Sequence, residues 1–303
     1  MKENFEKKLL KMIDKEKILF DEPMKKHTTF RIGGPADYFI VPTEIEEIRA
    51  VVSLCEEMGM PYYVIGNGSN LLVADKGFRG VILQIYKAMN QVKIEGNVIT
   101  AQAGASLAQI AKEALEHALT GFEFAAGIPG TLGGAVRMNA GAYGGEIKDI
   151  LTKATVLTKE GEVVELSKEE LEFGYRTSII ERTGQIVLKA EIELSPGKRE
   201  EIKAVMDDLR KKRVSKQPLE FPSAGSTFKR PEGYFAGKLI QDAGLKGFRI
   251  GGAQVSEKHS GFVINTGNAT AADVMELMRQ INEKVTARFG VSLEPEVRRI
   301  GEF

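Results

Sequence analysis

The 303-residue chain has no tryptophan, one cysteine and three histidines. A lone thiol, Cys55, cannot form an internal disulfide or a thiolate metal cluster. His27, His117 and His259 stand far apart, with no HExxH or paired-His spacing, so no dedicated transition-metal site is expected. Neither sign of charge is in excess, at 42 basic and 42 acidic residues, whereas a general nucleic-acid binder carries a basic surplus. No apolar run approaches the roughly 18 residues that a membrane span needs. The opening MKENFEKKLLKMIDKEKILF is charged throughout and lacks a signal-peptide pattern; its apolar Phe5, Leu9, Met12 and Ile13 fall at helical spacing. These absences lead to an ordinary soluble chain, expected in the cytoplasm, with no nucleic-acid partner and no membrane insertion.

What the chain does have is glycine, 32 in all, and much of it is clustered. The stretch Gly127–Gly145, GIPGTLGGAVRMNAGAYGG, has few large side chains, so it buries little apolar surface of its own. Glycine permits turns and close approaches that a Cβ would block, and the N–H groups of such turns form nests suited to phosphates. Ala135, Val136, Met138 and Ala140 punctuate the run, so parts of it should be buried. A second cluster, Gly66-Asn67-Gly68-Ser69-Asn70, joins the strands YYVI and LLVAD. It resembles the dinucleotide fingerprint G-x-G-x-x-G, but Leu71 takes the third glycine's place and no helix pattern follows. An Asn- and Ser-rich glycine turn serves either as a connection or as a pyrophosphate cradle.

Between these clusters the chain reads as α+β, with strands outnumbering helices. Thr43 and Glu46 make a T-x-x-E capping-box pattern; Ile45, Ile48, Val52 and Cys55 share one helical face, which Gly59 ends. Cys55 on that face reads as a core residue. VKIEGNVITAQA turns back at Gly96-Asn97, Ser106 caps a helix ending near His117, and ATVLTKEGEVVEL makes a second hairpin. Ser195-Pro196-Gly197 is the natural boundary, giving domains 1–195 and 196–303. Beyond it come a charged helix with the stripe Ile202, Val205, Met206 and Leu209, a loop over 217–233, and the short helix AGKLIQDAG. The strand GFVIN, a long helix behind Thr270 and the extended VSLEPEVRRIG complete the chain.

Three polar stretches remain: FGYRTS at 173–178, SAGSTFK at 223–229 and LEPEVR at 293–298. Met singly they are a surface arginine, a Ser/Gly turn and a solvated strand end. Together with the glycine clusters they resemble the UDP-N-acetylenolpyruvoylglucosamine reductases, the MurB family of peptidoglycan synthesis. The resemblance runs from about Thr29 to Glu302 through HTTFRIGGPADYF, GNGSNLLV, AGIPGTLGGAV, MNAGAYGGE, YRTS, SKQPLEFPSAGSTFKRP, AGKLIQDAGLKGFRIGGAQVSEKHSGFVIN and EPEV, in family order.

The resemblance implies an FAD-binding domain of the vanillyl-alcohol-oxidase (PCMH) type followed by a smaller α+β substrate-binding domain. FAD would be held without a covalent bond by Gly66, Asn67, Gly68, Ser69, Asn70 and Leu71 on one side. Gly127, Ile128, Pro129, Gly130, Thr131, Gly133, Gly134, Asn139 and Gly141 would hold it on the other. It also implies a reaction in which NADPH reduces FAD and the flavin passes hydride to the vinyl carbon of an enolpyruvyl UDP-sugar. Such an addition puts negative charge beside a carboxylate, which calls for preorganised donors. By the family match Arg176 supplies the cation, Glu296 a second hydrogen-bonding group, and Ser226 the proton. Lys216, Arg213, Lys229 and His259 are the candidates for the UDP-sugar itself. The oligomeric state is left open. Two departures stand out. Longer family members close a tyrosine over the substrate, but none of the 17 residues between Arg176 and Leu194 is a tyrosine, as in the shorter subtype. Arg137 places a charge where a small or aromatic residue is expected, facing solvent or the flavin phosphates. The competing readings are a sugar or alcohol oxidase on the same flavin fold and a non-catalytic nucleotide-binding module.

Overall fold

The computed structural model describes residues 2–303. The chain divides into two compact units, one of residues 1–20, 38–67 and 80–212, the other of 21–37, 68–79 and 213–303. The division does not follow the linear one at residue 195. Two early segments, 21–37 and 68–79, belong to the C-terminal unit because their backbones pair and pack there. Leu71–Val73 forms a parallel ladder with Arg298–Ile300, and a Cβ at Gly77 would lie 1.8 Å from the carbonyl oxygen of Pro35.

In the first unit, α1 (Lys2–Met12) buries Phe5 and Leu9. Met12 instead is 46% exposed, so the buried stripe passes from Leu9 directly to Ile13. The next helix, α2 (Ile45–Met58), buries Ile48, Val51, Val52, Leu54 and Cys55 and ends at left-handed Gly59. Its N-terminal device differs from the expected T-x-x-E box: Thr43 donates through its backbone N–H and hydroxyl to Glu47, not Glu46, and Lys17 Nζ also reaches Glu47 at 2.5 Å. Cys55 is fully enclosed, and burial pushes its thiol up to about 12, so it is an inert core residue.

A five-stranded antiparallel sheet orders Val163–Ser167, Leu151–Leu157, Ile186–Glu193, Val98–Gln102 and Val92–Glu95. Both predicted hairpins are in it, with Ile94 opposite Ile99 in one and Val156 opposite Val164 in the other. Around it lie α3 (Leu107–Glu116), α4 (Leu132–Met138), α5 (Ile147–Ile150) and α6 (Ile179–Thr183). Ser106 caps α3, its hydroxyl accepting from Gln109 N–H at 3.1 Å. The charged helix is α7 (Arg199–Lys216). Of its expected stripe only Ile202 is buried, and Val205 is 47% exposed.

The second unit is built on an antiparallel sheet ordered Ser223–Ser226, Phe262–Asn265, Ala253–Val255 and Arg249–Ile250. One helix, α9 (Ala271–Phe289), packs on it, and a shorter one, α8 (Ala236–Asp242), packs against α9. Thr270 and Asp273 form a complete capping box on α9, and Asp75 accepts from the N–H groups of Ala271 and Ala272 at 2.8 and 3.0 Å. A carboxylate there also complements the helix dipole. Leu277, Ile281 and Val285 of α9 share a core with Phe30, Ile32 and Leu72.

Candidate active site

In the first unit the two glycine clusters touch. Asn67 Nδ2 donates to the Pro129 carbonyl at 2.8 Å, and Gly66 packs so closely that a Cβ there would lie 2.2 Å from Thr131 Oγ1. The N–H groups of Leu132 and Gly133 donate to the carbonyls of Ala105 and Ala103 at 2.9 and 2.8 Å, which draws the first turn of α4 onto the end of a strand. Between these pieces opens a cleft with aliphatic walls of Val64, Ile65, Ile85, Ala103, Ile180, Ile186 and Val187. Gly66, Thr131, Gly133, Gly134, Arg137 and Gln185 complete its lining. The side-chain oxygen of Gln185 is buried there with no hydrogen-bond partner. Arg137 sets its guanidinium 5.5 Å from the ring centroid of Tyr63. Close glycine approaches, apolar walls and an unmet acceptor fit a cofactor with flat rings and N–H donors.

Arg176 stands at the edge of the same unit, at the tip of a tight turn. Gly174 and Thr177 exchange backbone hydrogen bonds at 3.0 and 3.4 Å, and Arg176 adopts φ +56, a left-handed conformation uncommon outside glycine. Its Nη2 donates to the Gly141 carbonyl at 3.1 Å, and its guanidinium lies 5.4 Å from the Tyr175 ring. Asn139 holds this turn in place. Fully buried at φ +45, it donates to the Gly174 carbonyl and to Glu146 Oε2, both at 3.0 Å, and accepts from Lys148 N–H at 3.0 Å. Ser178 Oγ adds a bond to the Arg137 carbonyl at 2.8 Å. The glycine stretch and the YRTS turn are thus one hydrogen-bonded knot, which is what keeps a strained arginine in place.

In the second unit the Ser226 and Glu296 stretches run side by side. Glu296 N–H donates to the Thr227 carbonyl at 2.9 Å, Lys229 N–H to the Glu294 carbonyl at 2.8 Å, and Phe228 bridges Pro295. Left-handed Gly225 (φ +76) precedes Ser226, which is exposed between buried Ala224 and Thr227. Asn70 joins them, donating to the Glu296 carbonyl at 3.2 Å and accepting from Arg298 N–H at 3.0 Å. His259 is half-buried, and its Nδ1 accepts from Gly261 N–H at 3.1 Å. Burial first, and the nearby Lys216 ammonium after it, hold the imidazole below its ordinary range against an opposing backbone hydrogen bond.

Two family models match the chain: "FAD binding domain" over residues 36–167 and "UDP-N-acetylenolpyruvoylglucosamine reductase, C-terminal domain" over 217–300. The UDP-N-acetylenolpyruvoylglucosamine reductase of Agathobacter rectalis is 54% identical over 100% of both chains. The chain belongs to the UDP-N-acetylenolpyruvoylglucosamine reductase family. The family member from Clostridioides difficile is also 54% identical, over 97% of each chain. The crystal structure of the Thermus caldophilus member aligns with a TM-score of 0.81 and 36% identity, covering 94% of this chain and 98% of that one. An alkyldihydroxyacetonephosphate synthase, at a TM-score of 0.50 and 17% identity over 64% of this chain and 40% of its own, shares the fold alone. The fold is therefore the expected α+β one, with an FAD-binding domain of the vanillyl-alcohol-oxidase type and a C-terminal domain of this reductase family.

Among the family's expected residues, Gly66, Thr131, Gly133 and Gly134 line the cleft, and Asn67 and Pro129 tie its mouth together. Ile128 and Gly130 are folded into the same tight loop after Gly127, Gly130 N–H donating to the Ile128 carbonyl at 2.9 Å. Gly68 closes on the His27 carbonyl, 2.1 Å from where its Cβ would be, and with Ser69 and Asn70 falls in the second unit. Leu71 is buried in its strand, which leaves only its backbone to meet a ligand. Gly141 accepts from Arg176. Asn139 differs from the expectation, because its amide is spent on the protein and sealed from solvent. Lys229 is ion-paired with Glu294 at 2.6 Å, and Arg213 Nε donates to Gln217 at 3.0 Å, whereas Lys216 is exposed. Gln185 and Tyr63 carry no motif, and only the folded cleft reveals them.

Proposed function

We propose that this chain reduces the enolpyruvyl ether of UDP-N-acetylglucosamine to UDP-N-acetylmuramate, with NADPH as the reductant and FAD bound non-covalently, in the cytoplasm. The observation that supports this most is the backbone pairing of the Ser226 and Glu296 stretches in a chain that matches the reductase family from end to end. FAD, when bound, supplies the hydride transfer from NADPH to the vinyl carbon. The glycine loops around Gly66 and Thr131 would hold the cofactor by the close approach that their missing side chains permit. Arg176 grips the substrate carboxylate, whose neighbouring carbon gains negative charge as the hydride arrives; a guanidinium does so by two parallel hydrogen bonds. Glu296 supplies a second hydrogen-bonding group. Ser226 gives its hydroxyl proton to the carbon that carries the new charge. A serine is a weak acid, but an enolate or carbanion is basic enough to take its proton. Lys216 and His259 lie on the nucleotide side, and Asn139 positions the Arg176 turn without touching substrate.

Ser226→Ala tests the assignment. Flavin bleaching by NADPH needs no such proton and should proceed at its normal rate. Reoxidation by the enolpyruvyl substrate should slow by about 10²–10⁴-fold, the usual contribution of a positioned acid. Stopped-flow absorbance follows each half-reaction separately, and reoxidation within a few-fold of the wild-type rate would remove Ser226 from this role.

A further inference from the structure

A second cavity, of about 730 Å³, lies wholly within the second unit, and none of its lining residues takes part in the proposed reaction. Its apolar lining comes from Met275 and Met278 on α9 and from Phe228, Leu293 and Pro295. Phe228 and Pro295 form the backbone bridge between the Ser226 and Glu296 stretches, so the cavity reaches those strands. Methionine suits such a lining, since its flexible, polarisable side chain adapts to varied shapes. The charged side chains around it are unevenly matched. Asp75 is committed to the start of α9, where it accepts from the N–H groups of Ala271 and Ala272 at 2.8 and 3.0 Å. Arg279 and Glu276 hold each other through two hydrogen bonds at 2.8 and 2.6 Å. Among the described residues Lys76 has no hydrogen-bond or ion-pair partner, and Arg299 has only the Met275 sulfur, 4.0 Å from its Nη1. Glu302 pairs with neither. Asn282 turns its Oδ1 to the Leu293 N–H at 2.6 Å, which leaves its amide nitrogen, a donor, for a ligand.

We infer that this cavity binds a small amphipathic anion, an acidic head on an aliphatic or aromatic body, with Lys76 and Arg299 at the head and the methionines along the body. The size fits, because small-molecule pockets run about 300–1,000 Å³ and are mostly apolar with a few polar groups. A protein partner fits less well, because interface cores are depleted of charge and this cavity carries Lys76, Arg279, Arg299 and Glu302 on its lining. The sign of the head follows from the groups left over, two cations and an amide donor against the single free carboxylate of Glu302. A guanidinium can hold a carboxylate or phosphate by two parallel hydrogen bonds. An organic cation would meet two like charges in the same space.

The test titrates decanoate into the full-length, flavin-loaded chain carrying isotope-labelled methionine methyl groups, with binding read by NMR. The resonances of Met275 and Met278, identified through Met275→Leu and Met278→Leu, should shift saturably with a Kd of about 0.1–1 mM. Replacing both cations, Lys76→Gln with Arg299→Gln, should weaken decanoate about threefold to tenfold. Both side chains are exposed, so the double variant keeps its core. Decylamine, with the same tail and a positive head, should bind at least about tenfold more weakly to the wild-type chain, and this arm needs no variant. Equal affinity for the acid and the amine, or unchanged decanoate affinity in the double variant, would overturn the anion assignment. The absence of a saturable shift at about 10 mM decanoate would overturn the site itself. Methyl shifts that follow protein concentration and ignore decanoate would give the cavity to a second copy of the chain and overturn it likewise.

Discussion

Replacing Asn139 by alanine should unlock the Arg176 turn, and the structure sets the size of the effect. Asn139 is 0% exposed and makes three side-chain hydrogen bonds, to the Gly174 carbonyl, to the Glu146 carboxylate and from Lys148 N–H. The two bonds to neutral groups are worth about 1 kcal/mol each, and the one to the carboxylate about 1.5–3 kcal/mol. Glu146 keeps its ion pair with Lys148 Nζ, which holds that figure to the lower end. Alanine must also adopt φ +45, adding about 1–2 kcal/mol that asparagine largely avoids. The total is about 5 kcal/mol, comparable to the whole stability of many domains. Asn139→Gly loses the same bonds without the left-handed penalty, so it should be about 1 kcal/mol less damaging. Urea unfolding followed by circular dichroism measures both, the chain having no tryptophan to report. An alanine variant within about 1 kcal/mol of wild type would show that Asn139 is not what holds the turn.

Gly66→Ala should purify with little or no flavin, since its Cβ would lie 2.2 Å from Thr131 Oγ1, both residues lining the cleft; full flavin occupancy, read as absorbance per mole of protein, would contradict the close packing. His259 should make stability fall in mild acid. Its folded pKa lies below the unfolded value of about 6.5, so the unfolded chain binds more protons in the window between the two. The stability is whole above that window and is lost as pH falls through it. His259→Gln should flatten this portion of a stability–pH curve, and an unchanged curve would show that the imidazole is not kept neutral by the fold.

The strands and capped helices were legible because their signals are local. Gly96-Asn97 marks a hairpin whose strands alternate, and Thr270 with Asp273 announces α9. The short helix α4 was not legible, because Leu132-Gly133-Gly134 has weak helical propensity. It forms where Gly133 can come within reach of Ala103, a position at which a Cβ would lie 2.9 Å from the Ala103 Cβ. The stripe on α7 followed a correct period, but a period states only which residues share a face, and little of that face is covered. The interleaving of the units escaped a linear reading because it depends on a parallel ladder between residues some 227 positions apart, Arg298 with Leu71. Of the proposed site, Arg176, Ser226 and Glu296 are singled out by their motifs and the family resemblance alone. Gln185 was not, since nothing in its neighbours says that its amide will be buried beside glycine loops.

The most direct measurement is the visible absorption of the purified chain under nitrogen, first alone, then with NADPH, then with the enolpyruvyl UDP-sugar. The account predicts flavin bands that NADPH bleaches and the UDP-sugar restores, in a chain whose flavin is released by acid precipitation. A colourless chain that cannot be reconstituted with FAD would contradict it, as would bleached flavin that the UDP-sugar leaves unchanged and only oxygen restores.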